Sequence, residues 1–166
     1  EDMKAALSTF VPSSSQTPGR LNVFKFNEFQ VLLDYAHNPA GMRALQQFVD
    51  TFEATKKVGI IAGIGDRREE DNMEVGRIAA QMFDEIIIRQ DKHLRGKSEE
   101  ELIEMLKKGI YEESPNHPIR VIPSEKEAIK HAIENAEPGS LVVLSSDVVP
   151  DALEEVQRFR EMEMTK

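Results

Sequence analysis

The sequence predicts an α/β fold: a mainly parallel sheet with helices on both faces and an antiparallel hairpin strand at its N-terminal edge. Three observations carry this. Short apolar runs recur over 31–33, 57–62, 84–89, 119–122 and 141–144, with little polar alternation, as expected of strands covered on both faces. Between them lie segments with apolar residues at helical spacing. The connections are short, so strand and helix alternate in the manner of right-handed crossover units.

Taken in order, residues 1–10 place Met3, Ala6, Leu7 and Phe10 at helical spacing. Residues 11–19 are rich in Ser, Pro and Gly and read as a hinge. The stretch 20–26 brings Leu21, Val23 and then Phe24 and Phe26, and Asn27-Glu28 turns it into 29–33, a β-hairpin feeding the first core strand. The strand over 31–33 runs into Asp34-Tyr35-Ala36-His37, after which Asn38 is an N-cap and Pro39 a first helical residue. Helix 39–53 puts Met42, Leu45, Phe48, Val49 and Phe52 on one face.

Strand 57–62 ends in Gly63-Ile64-Gly65-Asp66-Arg67-Arg68. Helix 71–83 starts on Asp71 with Glu74 in a capping-box arrangement and faces inward with Val75, Ile78, Ala79 and Met82. Ser98 with Glu101, and Ser124 with Glu127, open two further helices in the same way. The first buries Leu102, Ile103, Leu106 and Ile110, the second Ala128, Ile129, Ala132 and Ile133. Pro138-Gly139 turns into the strand over 141–144, and a last helix runs from about Pro150 to Met162.

Composition narrows the function. At 166 residues, 40% hydrophobic and 31% charged, the chain fits one domain with a substantial core. A net charge of −9 argues against a nucleic-acid coating protein. Without cysteine there is no disulfide, thiolate catalysis or Cys metal site. No apolar run approaches the ~20 residues that span a bilayer, and no signal peptide is visible, which reads as a cytoplasmic protein. The four histidines, at 37, 93, 117 and 131, lack metal-ligand spacing, so no metal site is expected. The charged start without Met reads as a piece of something longer.

In such a sheet the loops after the strands share one rim. Here they gather Asp34, His37, Asp66, Arg67, Arg68, Asp91, His93, Arg95 and Asp147, whereas the opposite rim is chemically plainer. Gly63-Ile64-Gly65 resembles a phosphate-cradling turn but lacks the third glycine of a dinucleotide fingerprint and is no P-loop. Arg67-Arg68 suits carboxylate or phosphate. Arg20, just after the hinge, is placed where a moving element could carry it to a phosphate.

The strings PGR (18–20), DYAHNP (34–39) and GDRREED (65–71) together resemble the C-terminal, Rossmann-like domain of the Mur ligase superfamily. This superfamily of ATP-dependent amide-forming ligases includes the peptidoglycan Mur ligases and folylpolyglutamate synthases. The fuller strings PGRLNVF, VLLDYAHNPAG, RQDKHLRGK and LSSDVVPDAL look most like the branch that joins arginine to aspartate side chains of a polymer. The resemblance implies that residues 1–19 are the tail of a central domain plus hinge, and 20–166 the C-terminal domain.

It further implies that Arg20 meets ATP phosphate and Asp34 the ribose, with Tyr35, His37 and Asn38 lining the nucleotide. Asp66, Arg67, Arg68, Asp91, His93, Arg95, Ser146 and Asp147 become candidates for binding the incoming amino acid and acceptor. The P-loop and Mg²⁺ site would belong to the central domain, so no catalytic residue is expected within this chain alone. Its partners would be those missing domains, ATP, arginine and an aspartate-containing polymer. The alternatives are a peptidoglycan or folylpolyglutamate ligase, or a non-catalytic nucleotide-binding module.

Overall fold

A computed structural model describes residues 19–89 and 94–165. The helix expected over 1–10, the hinge up to Pro18, and Asp91 and His93 lie outside the described residues. The chain runs β1 (Asn22–Lys25), β2 (Gln30–Asp34), α1 (Pro39–Val49), β3 (Lys57–Ile61), α2 (Glu69–Met82), β4 (Glu85–Ile88), α3 (Glu99–Glu113), β5 (Ile119–Val121), α4 (Glu125–Glu134), β6 (Leu141–Ser145) and α5 (Val149–Met164). Among the described residues, six strands form one sheet in the order β1-β2-β6-β3-β4-β5. Only β1 is antiparallel, pairing Asn22 with Leu33 and Lys25 with Gln30; every other pairing is parallel.

This order decides where the helices lie. The chain steps outward from β3 to β4 to β5, then returns to insert β6 between β2 and β3. Right-handed crossovers taken in opposite directions fall on opposite faces. Accordingly Met42, Leu45 and Val49 of α1, Val75 and Ile78 of α2, and Leu106 and Ile110 of α3 share one core with Leu32, Ile86, Ile88 and Val143. Ala128 and Ile129 of α4 and Ala152 and Val156 of α5 share the other with Val31, Leu33, Ile87, Val142 and Leu144. Neighbouring strand residues thus feed alternate cores, as the pleat requires.

In β1 the inward face differs from the alternation expected. Asn22 and Phe24 point in, and Val23 is exposed. An asparagine can take the inward position because its amide is satisfied there: Oδ1 accepts the Gly19 amide at 2.7 Å and Nδ2 donates to the Arg20 carbonyl at 3.1 Å. Phe26 stacks on Phe29 across the turn, with centroids 4.5 Å apart.

Helix ends show which signals act. Ser98 and Glu101 form the full capping box, whereas Ser124 accepts from the Glu127 amide without the reciprocal bond. α1 closes at Val49, because Thr51 and Phe52 tighten onto the Phe48 and Val49 carbonyls. α2 starts two residues before Asp71, from Arg68, with no side-chain cap. Glu69, Glu70 and Asp71 there complement the helix dipole instead.

α2 and α3 meet backbone to backbone. A β-carbon on Gly109 would lie 1.9 Å from the Met73 carbonyl oxygen, and one on Gly76 2.4 Å from that of Leu106. Gly109→Ala must push the helices apart, at an expected cost of about 1–3 kcal/mol. An unchanged urea midpoint would contradict this packing.

On the plain rim, His117 is buried, its Nε2 without a hydrogen-bond partner among the described residues. Burial pushes its pKa below the ordinary 6.5, against the pull of Asp84. The unfolded chain therefore binds the proton more readily. Stability is held above about pH 6.5 and is lost as pH falls through the depressed folded value. Thermal melts from pH 7.5 to 5 should decline less steeply for His117→Gln than for the parent; parallel curves would remove the assignment.

Candidate functional site

The parallel strands deliver their carboxyl ends to one rim, and β2 delivers Asp34 to it. Asp34, only 7% exposed, closes the strand. Its Oδ2 accepts the Leu21 amide at 3.0 Å and its Oδ1 the Ala36 amide at 2.9 Å. Burial pushes its carboxyl pKa up, while the two amides and the charge of Arg20 pull it down. Each carboxylate oxygen keeps a further lone pair.

Asn38 has extended backbone and caps α1 by accepting the Gly41 amide at 2.8 Å, with Pro39 opening the helix. The positive end of the α1 dipole is therefore on this rim. Arg20 holds its guanidinium carbon 5.2 Å from the Tyr35 ring centroid. Arg20, Leu21, Asp34, Tyr35, His37 and Asn38 share the wall of a cleft of about 350 Å³, with Gly41, Ala44 and Leu45 of α1 opposite.

A second cleft, of about 180 Å³, lies behind the same aromatic wall. Tyr35 and His37 line both, and this one adds Ile64, Asp66, Arg67, Arg95 and Asp147. The Tyr35 and His37 rings meet edge-on at 4.7 Å. His37 Nδ1 is 2.9 Å from the Tyr35 carbonyl and Nε2 is 3.3 Å from Arg67 Nη2. A carbonyl only accepts and a guanidinium only donates, so the proton belongs on Nδ1. Among the described residues, Arg67 Nε is buried without a hydrogen-bond partner. Arg95, at φ 44°, pairs with Asp66.

The loop carrying Asp66 and Arg67 is fixed from beneath. Asn72 accepts the Ile64 amide at 3.0 Å and donates to the Ile64 carbonyl at 3.1 Å. Lys97 Nζ donates to the Gly65 and Arg67 carbonyls at 3.0 and 2.6 Å. A β-carbon on Gly65 would lie 1.6 Å from the Leu94 carbonyl oxygen, so close packing of two loops accounts for this glycine.

Of the residues singled out by sequence, Arg20, Asp34, Tyr35, His37 and Asn38 meet at the first cleft, and Asp66, Arg67, Arg95 and Asp147 at the second. Arg68 is held bidentately on Asp71, both bonds 3.0 Å, and does not line either cleft. Ser146 is buried, donating to Glu125 at 2.8 Å. Sequence reasoning missed Arg89. It is 3% exposed, with Nε 2.9 Å from Glu125 and Nη2 2.8 Å from Asp147, and it also donates to the Ser145 carbonyl at 3.2 Å. Its one signal was a charge closing an otherwise apolar strand. Among the described residues no group of three or more His, Asp or Glu is arranged to hold a metal ion, and no helix is long and apolar enough to cross a membrane.

The fold recurs in solved ligases and synthases. The ligase UDP-N-acetylmuramoyl-L-alanyl-D-glutamate--2,6-diaminopimelate ligase superposes with a TM-score of 0.74 at 20% identity, over 96% of this chain and 34% of that one. Mycobacterium tuberculosis folylpolyglutamate synthase, complexed with ADP and AMPPCP, gives 0.61 at 22% identity, over 85% and 32%. By sequence, the chain belongs to the family "Mur ligase, glutamate ligase domain", which matches residues 19–148. A cyanophycin synthetase from Geminocystis herdmanii is 40% identical over 96% of this chain, and one from Synechocystis sp. 41% identical over 93%. The chain spans 18% of the length of each of these relatives.

Proposed function

We propose that this domain is the C-terminal lobe of an ATP-dependent amide ligase and forms half of a split ATP site. The observation that carries the reading is the convergence of Arg20, Asp34, Tyr35, His37 and Asn38 on one cleft at the end of β2 and the start of α1. Its parts suit a nucleoside triphosphate. Asp34 has lone pairs for ribose hydroxyls, Tyr35 a flat face, Arg20 a charge for phosphate, and the α1 N-terminus a favourable dipole. The remaining phosphate contacts and Mg²⁺ would come from the rest of the longer chain.

The second cleft suits the incoming amino acid. The guanidinium groups of Arg67 and Arg95 would hold its carboxylate, and Asp66 and Asp147 provide negative charge for a cationic side chain. With relatives named cyanophycin synthetase, arginine is the amino acid we assign, joined to an aspartate side chain of a polymer, in the cytoplasm. ATP would transfer its γ-phosphoryl group to that carboxylate, releasing ADP. The arginine amine would then displace phosphate and form an isopeptide bond. This chain's residues orient the reactants and exclude water; Tyr35 and His37, shared by both clefts, mark where the two meet.

Tested alone, the chain should hydrolyse no ATP and bind it weakly at most. Robust turnover by the isolated chain would overturn the split-site reading.

A further inference from the structure

We propose that Asn22 is a positioning residue for Arg20, clamping the backbone on both sides of it so that the guanidinium is presented over Tyr35. The inference rests on the reading of Arg20 as a phosphate contact. It concerns a buried amide on β1 to which the site described above assigns no role.

The segment Gly19-Arg20-Leu21 is held in a conformation that it has little reason to adopt unaided. Gly19 has φ 72° and Leu21 φ 50°, and a leucine in the left-handed region persists only where its surroundings over-determine it. The surroundings here are specific. Asn22 is 2% exposed. Its Oδ1 accepts the Gly19 amide at 2.7 Å, and its Nδ2 donates to the Arg20 carbonyl at 3.1 Å. Between them the Leu21 amide is held by Asp34 Oδ2 at 3.0 Å. The amide of Gly19, the carbonyl of Arg20 and the amide of Leu21 are thus all engaged by two side chains.

The mounting is tied to the sheet and to α5. Asn22 pairs with Leu33 in the β1–β2 ladder, beside Asp34. Gly19 is seated against the start of α5, where a β-carbon would lie 2.4 Å from Val149 Cγ2. Arg20 itself is exposed, with its guanidinium carbon 5.2 Å from the Tyr35 ring centroid. A long exposed side chain aims well only if its backbone is fixed. Asn22 supplies that fixing without touching the cleft, since it is not among the cleft's lining residues.

The test uses the full-length ligase. Steady-state rates with varied ATP, and melting temperatures, are measured for Arg20→Ala, Asn22→Leu, Asn22→Asp and the two corresponding doubles. Leucine removes both clamp bonds. Aspartate has the same shape, keeps the acceptor for Gly19 and turns an oxygen on the Arg20 carbonyl, so it serves if the leucine variant does not fold. Each Asn22 variant is expected to lower kcat/KM for ATP by about tenfold, as loss of a specific hydrogen bond allows. In the Arg20→Ala background the same change should cost less than about twofold, because Asn22 acts through Arg20.

If Arg20→Ala is impaired while the folded Asn22 variants are unaffected, or their losses multiply with that of Arg20→Ala, the clamp is overturned and the phosphate role of Arg20 stands. If Arg20→Ala has normal kinetics, the phosphate role falls and the clamp proposal falls with it.

Discussion

Arg89→Met is expected to destabilise the domain by about 3–5 kcal/mol, the usual consequence of removing one partner from a buried ion pair. Arg89 is 3% exposed and stands between Glu125 and Asp147, whose side chains are 10% and 14% exposed. It also donates to the Ser145 carbonyl. Through Glu125 it reaches Ser146, whose Oγ donates to that carboxylate at 2.8 Å. Methionine fills a similar volume but strands two carboxylates that are held out of water. Adding Glu125→Gln and Asp147→Asn should return a large part of the loss, because the neutral set has no unpaired charge to bury. Denaturant midpoints of the single and triple variants measure this. A loss below about 1 kcal/mol for Arg89→Met would mean that the network is solvated in practice.

Asp34→Asn has the largest effect expected on activity with little effect on stability. Burial raises the Asp34 pKa above its ordinary 3.8, so the stability this group contributes is present below that value and is lost as pH rises through the folded pKa. At neutral pH the fold therefore holds a carboxylate that it would favour more if neutral. Asparagine removes the buried charge, but it has one acceptor oxygen for two backbone amides, those of Leu21 and Ala36, and no charge for a ribose. The two effects on folding oppose one another, and Tm should move by no more than about 4 °C. In the full-length ligase, kcat/KM for ATP should fall about 10- to 150-fold, the range for losing a hydrogen bond to a charged group. A drop in Tm with unchanged kinetics would make Asp34 a structural residue only.

The sheet and its helices are readable because β2, β3, β4 and β6 are buried on both faces and each helix carries its apolar stripe. Ile86, Ile87 and Ile88 alternate between the two cores, yet all are apolar, so the run announces a covered strand without naming its faces. β1 shows the limit. Val23 and Asn22 alternate, but the asparagine is the inward one, and its bonds to Gly19 and Arg20 satisfy its amide there.

Local chemistry read well where one segment holds both partners, as at Ser98 and Glu101 or Asn38 and Gly41. It read poorly where partners are distant in sequence. Arg89 and Asp147 are separated by 58 positions and Arg67 and His37 by 30. Neither pairing leaves a trace in spacing. Gly65 looked like a phosphate turn but is explained by the close approach of Leu94.

In the function proposed, Arg20, Asp34, Tyr35, His37 and Asn38 complete an ATP site whose other half lies outside this chain. The most direct measurement is a structure of the full-length ligase with a non-hydrolysable ATP analogue. Ribose oxygens are expected within hydrogen-bond reach of the Asp34 carboxylate, about 2.5–3.0 Å, with phosphate facing Arg20 in the cleft beside Tyr35. A nucleotide bound wholly by other domains, with this cleft empty in the closed enzyme, would contradict that function.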